Sequence, residues 1–163
     1  MTGRSDFTET EWKQVLQGPP SAGMIVVTAA KGGTFRETFA IGKAYTEARK
    51  QHGASQLLDE IVAAKPETDH TRYKSNAELR EAGLGHLRDA IALLEQKATP
   101  EEVGDYRGFV MALSERVAAA HREDGVEISP DEQQALGEIQ ASMAGSGGSA
   151  ETGATGETAD AGE

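Results

Sequence analysis

The chain has 163 residues, of which 16 are basic and 27 acidic, giving a formal net charge of −11, and it contains no cysteine. That length suits one domain with a core of its own, and the lack of thiols excludes a disulfide framework and any Cys-based zinc or redox site. A field this negative repels a phosphate backbone, and no dense Lys/Arg stripe offsets it, so a nucleic-acid partner is not expected.

The opening residues, MTGRSDFTETEW, hold no apolar secretory core. The longest apolar-rich run, Ala22 to Ala30, is far short of the ~20 residues a bilayer span needs. The expectation is a soluble cytoplasmic protein without a membrane span. The first helix signal follows at once. Thr8 precedes Glu11 by three positions, a capping box, while Phe7 and Trp12 stand where a hydrophobic staple would close over it.

The segment Pro19 to Phe35, PPSAGMIVVTAAKGGTF, admits two readings. In one, Met24 to Val27 is a buried strand feeding a phosphate-cradling loop at Lys31 to Thr34. A strand needs partners, however, and no other apolar run has strand spacing. The loop also departs from the P-loop template, because Lys31 precedes Gly32-Gly33 where a lysine should follow the last glycine. The other reading makes Ser21 to Lys31 a short, fully buried helix, opened by Pro20 or Ser21 and closed by the two glycines. Apolar residues on all sides suit a central helix, and this reading is preferred. Lys31, Gly32, Gly33 and Thr34 are kept as an anion-binding candidate, since free amides at the start of a helix favour negative charge; a plain inter-helix turn is the simpler account of the same residues.

Thr34/Glu37 opens the next helix, on which Phe35, Phe39, Gly42, Tyr45 and Ala48 form the apolar stripe and Gly42 is expected to permit a close helix crossing. Leu57, Leu58, Ile61 and Val62 make a shorter helix between Gly53 and Pro66. The polar stretch 65–75 reads as a surface crossover between two helical halves. Ser75/Glu78 then caps a helix from Asn76 to Lys97 carrying Leu79, Leu87, Ile91 and Leu94. Thr99/Glu102, with Pro100 at the first helical position, opens a long helix whose stripe is Val103, Tyr106, Val110, Leu113, Val117 and Ala120. Ser129/Glu132 with Pro130 starts the last helix, marked by Leu136, Ile139 and Met143. Beyond residue 143 the chain is Gly, Ala, Ser, Thr and acids, too poor in apolar groups to offset its ordering entropy, and is expected to be a disordered tail, 144–163. The tail holds only four of the acidic residues, so the acidity belongs to the whole chain. Together these signals predict an all-α fold: one domain, 1–143, a compact bundle of about six or seven helices around the short buried one.

Catalytic patterns are missing from the sequence. His52, His70, His86 and His121 include no i, i+4 pair and no HExxH, and no GxSxG elbow or spacing selects a Ser/His/Asp trio. The loop His121 to Glu132 is the most suggestive polar segment. Aligned on an EF-hand, it puts His121 at the first ligand position and Val126 where glycine belongs, both wrong for tight calcium binding. A Gly125 C-cap followed by the Ser129-Pro130 start accounts for the same residues.

Val117 to Ile139, VAAAHREDGVEISPDEQQALGEI, resembles the helix–loop–helix of TerB-like tellurite-resistance domains. The resemblance implies a divalent-metal role for the matching acids, Asp124, Glu127, Asp131 and Glu132. Over more of its length, at Phe7–Ala30 and Lys97–Ile139, the chain is similar to a bacterial family of all-α proteins without an assigned activity, which supports helix for the Pro19–Phe35 segment. The functional expectation is a non-enzymatic module, interaction- or stress-related, with a protein partner and no cofactor; the alternative is a TerB-like module that binds a divalent cation.

Overall fold

The computed structural model describes residues 1–30, 35–51, 55–122 and 128–145, apart from the side chains of residues 35–38, 121 and 122. Among these residues all regular structure is helical: α1 (Glu9–Ala29), α2 (Phe35–Lys50), α3 (Gln56–Ala63), α4 (Asn76–Lys97), α5 (Pro100–Arg122) and α6 (Pro130–Ser142), after a 3-10 turn at Arg4–Asp6. The expected tail from residue 146 onward lies outside the described residues.

The helix starts follow from their caps. Thr8 Oγ1 accepts the Glu11 amide at 3.3 Å while Glu11 accepts the Thr8 amide at 2.8 Å. Thr99/Glu102 and Ser129/Glu132 repeat the same reciprocal pair. Ser75 accepts the Glu78 amide, but Glu78 takes the Lys74 amide instead of the expected Ser75 one, so that site is a cap with its return bond shifted one residue upstream. Ser55 caps α3 without a glutamate partner. The Thr34/Glu37 pair lies outside the described residues and side chains. The Phe7–Trp12 staple forms, ring centroids 5.6 Å apart, and Lys97 closes over it from the end of α4, bonded to Glu11 at 2.7 Å.

The main correction concerns Pro19–Phe35. There is no separate short helix. Helix α1 runs unbroken for 21 residues through Pro19 and Pro20. Ile25 and Val26 are helical and 1% exposed, as expected of them, while Val27 is half-buried. An interior proline normally costs about 3 kcal/mol, because it deletes one helix hydrogen bond and crowds the carbonyl four residues back. For Pro19 that carbonyl belongs to Val15, and the Tyr106 hydroxyl of α5 donates to it at 2.8 Å. Tyr106 is fully buried, and burial pushes its phenol well above the ordinary range, so it stays a donor. Gly18 makes room: a Cβ there would lie 2.1 Å from the Tyr106 hydroxyl oxygen.

Helix α1 packs mainly on α4 and then on α5; α2 lies on α5, α3 leans on both, and α6 bridges α1, α4 and α5. Glycines allow close approach in the α1 layer. A Cβ on Gly83 would meet Ile25 at 2.9 Å, and one on Gly23 would meet Ile41 at 2.7 Å. Gly42 shows no such contact; it is exposed, with no described atom within 4 Å of an added Cβ. The α2 stripe is therefore rotated from expectation. Ala40, Ala44 and Tyr45 are buried against the bundle while Phe39 is 70% exposed. Small side chains let α2 come close to α5, with Tyr45 edge-on to Phe109 at 5.2 Å.

Candidate functional site

Two features stand out, a groove on the α2 side and a polar cluster beneath the 65–75 crossover. The groove, about 1080 Å³, runs between α2, α3 and α5. Its floor includes Ala44, Ala48, Leu58, Val62, Phe109 and Ala112. The surroundings carry both signs of charge: Lys43 and Arg116 beside Glu47, Asp59 and Glu115. Arg116 pairs with Glu47 across the α5–α2 seam. Because both groups are well solvated, that pair fixes side-chain direction more than it stabilises the fold. Phe39 stands at the lip, its ring largely in solvent. The signal available in sequence was the alanine spacing 40, 44, 48 on α2, one turn apart, which ranks low on hydrophobicity and was overshadowed by the two phenylalanines.

The polar cluster unites residues far apart in the chain. Ser21 Oγ lies 3.1 Å from His86 Nδ1, and Gln17 Nε2 lies 3.5 Å from His86 Nε2. Asp69 Oδ2 is 3.7 Å from His86 Nε2 and accepts the Tyr73 hydroxyl, while Asp69 Oδ1 accepts the Thr71 amide at 2.9 Å. Burial pushes the Asp69 carboxyl up, but hydrogen bonds from Thr71 and Tyr73, with His86 nearby, more than reverse it and hold it at about 2.

This is a Ser, His and Asp in sequence-distant contact, yet the relay that activates a serine is interrupted. The carboxylate is engaged by Tyr73 and Thr71 and stands beyond hydrogen-bond distance of the imidazole. Ser21 lies in the body of α1, where amide donors point along the helix instead of converging beside the hydroxyl as an oxyanion hole requires. What the cluster does is tie the crossover to α1 and α4.

The sequence-derived candidates fare differently. Lys31, Gly32, Gly33 and Thr34 lie outside the described residues, as do Asp124 and Glu127. Asp131 is exposed in the first turn of α6, where its charge favours the helix dipole. Glu132 is buried; its Oε2 takes the Ser129 amide at 2.7 Å, and its Oε1 has no hydrogen-bond partner among the described residues. Among those residues no group of three or more His, Asp or Glu is placed to hold a metal, and no helix is long and apolar enough to cross a membrane. No protein-family model, curated protein or solved structure matches the chain.

Proposed function

We propose that the chain is a non-enzymatic helical interaction module whose α2–α3–α5 groove takes an apolar, amphipathic segment of a protein partner. One observation carries the reading: a groove of about 1080 Å³ floored by alanine and aliphatic side chains, with a largely exposed phenylalanine at its lip. A surface of this kind suits helix-in-groove recognition, in which small floor residues admit the partner's large ones and peripheral charges fix its direction. A cytoplasmic setting and the absence of a nucleic-acid partner belong to the same reading; the charge of −11 supports the second of them.

The test uses Ala112→Arg, which fills the groove from an exposed position of α5 without touching the buried core. Proteins retained specifically from a native lysate by the wild-type chain should be lost with this variant. They should be retained by Asp89→Arg, altered at an exposed α4 position outside the groove lining. A wild-type chain that retains nothing specific, or an Ala112→Arg chain that retains the same proteins, overturns the reading.

A second reading, the TerB-like divalent-cation module, draws support from Glu132, which follows the acid-bearing residues 123–127 in sequence and whose buried Oε1 lacks a partner among the described residues. Calorimetry with calcium, magnesium, manganese and zinc tests it; binding tighter than millimolar that disappears in Glu132→Gln favours it, and no such binding ends it.

A further inference from the structure

We infer that the groove's occupant is a second copy of this chain, docked about a two-fold axis with Phe39 of each protomer seated in the alanine-floored groove of the other; the inference rests on the interaction reading above. Three observations carry it. The same face holds both a projecting aromatic group and a hollow that fits one: Phe39 is 70% exposed and lies at the lip of a groove floored by small side chains. A two-fold operation puts knob opposite hole twice over, which is the self-complementarity an isologous interface needs.

Charge is the second observation. Two chains of net −11 repel one another over most of their surfaces. Around the groove, however, Lys43 and Arg116 are interspersed with Glu47, Asp59 and Glu115, so the face is close to neutral and carries both partners of potential cross-pairs. An acidic chain meets less resistance from its own copy at such a mixed face than at an acidic one, and a two-fold axis brings cations of one protomer to carboxylates of the other.

The third observation is shape. Gly108 lines the groove on α5, and no described atom stands within 4 Å of a Cβ added there. At Gly18, Gly23 and Gly83 that space is taken by a neighbour, whereas at Gly85, Gly104 and Gly137, outside the groove lining, it is open as it is at Gly108. At Gly108 the open space adds to the width of the hollow that would receive the aromatic ring.

Sedimentation equilibrium of the full chain, from low micromolar to millimolar, tests the inference. The wild-type mass should rise with concentration from 17.2 kDa toward twice that value. Phe39→Ser removes the knob and Ala112→Arg blocks the hole, so each alone should remain at the monomer mass. An equimolar mixture of the two should recover one of the two contacts and self-associate more than either variant alone. Far-ultraviolet dichroism and melting temperatures like the wild type's establish that both variants fold; should Ala112→Arg not, Gly108→Gln blocks the same groove from an exposed site. A wild-type chain monomeric up to millimolar concentration overturns the dimer, as does a dimer insensitive to both substitutions. If the chain is monomeric while Ala112→Arg still abolishes lysate capture, the interaction reading stands without the dimer. If capture and association both ignore Ala112→Arg, both fail.

Discussion

Helix α5 faces two very different neighbourhoods. Toward α1 and α4 it presents Val103, Tyr106 and Val110, all essentially inaccessible, and the facing glycine at position 18 has its missing Cβ volume occupied by the Tyr106 hydroxyl. Toward α2 and α3 it presents Gly108, Ala112 and Ala119 along a groove, and among the described residues nothing lies within 4 Å of a Cβ added at Gly108. The same small residue type therefore does opposite things on the two sides. In the α1 layer, smallness lets protein atoms in; at the groove, it leaves the space above α5 open. The first side seals the core, and the second is the surface proposed for recognition.

Substituting alanine for glycine on each side is the sharpest way to break that contrast. Gly18→Ala pushes a methyl into the Tyr106 hydroxyl and disturbs its bond to Val15; overpacking of this kind should destabilise by about 1–3 kcal/mol, with a further ~1 kcal/mol if the hydrogen bond is lost. Chemical denaturation measures it. Tyr106→Phe leaves the Val15 carbonyl buried without its donor and should destabilise by about 1–3 kcal/mol. The double variant should be more stable than the two losses added together, because removing the hydroxyl also removes the clash; strict additivity would mean that Gly18 and Tyr106 are not the coupled pair described here.

Acid probes the tight side next. Lys97, with hydrogen bonds from Thr8, holds Glu11 at about 2, and amides of Thr99 and Thr2 overcome burial to hold Glu102 at about 2, as at Asp69. Carboxylates held below their unfolded values stabilise the fold in full above about pH 4.5, and that contribution fades as pH falls toward 2. Melting temperature should therefore decline through that window, less steeply in Glu11→Gln, which has already lost one such group. The smallest effect is expected on the other side. Gly108→Ala, exposed in a helix and free of contacts, should stabilise by about 0.5–1 kcal/mol, the reverse of Gly18→Ala. A destabilising Gly108→Ala would show that the groove side is packed more tightly than described.

Features fixed by neighbours in the chain were legible in the sequence. A hydroxyl and a glutamate three residues apart make their bonds locally, and Thr8, Thr99 and Ser129 behave as read. The α5 stripe was equally clear, since period alone identifies it. The unbroken α1 was not. Two adjacent prolines argue locally for a helix start, and what lets the helix continue past Pro19 is a hydroxyl from Tyr106, distant in sequence. The Ser21–His86–Asp69 contact was hidden for the same reason. On α2 the error was one of ranking. Phenylalanine outranks alanine as a core residue, yet Ala40 and Ala44 are buried while Phe39 is not, because a close helix pair selects for size before hydrophobicity.

The most direct test of the division between a sealed side and a receptive side is site-specific photocrosslinking with benzoyl-phenylalanine in the intact chain. Placed at Phe39, on the lip of the groove, the probe should give a discrete adduct whose mass identifies the occupant. Placed at the exposed Asp89 on α4, it should give none. Equal adducts from both positions, or an adduct from Asp89 alone, would contradict the assignment of recognition to the α2–α3–α5 face.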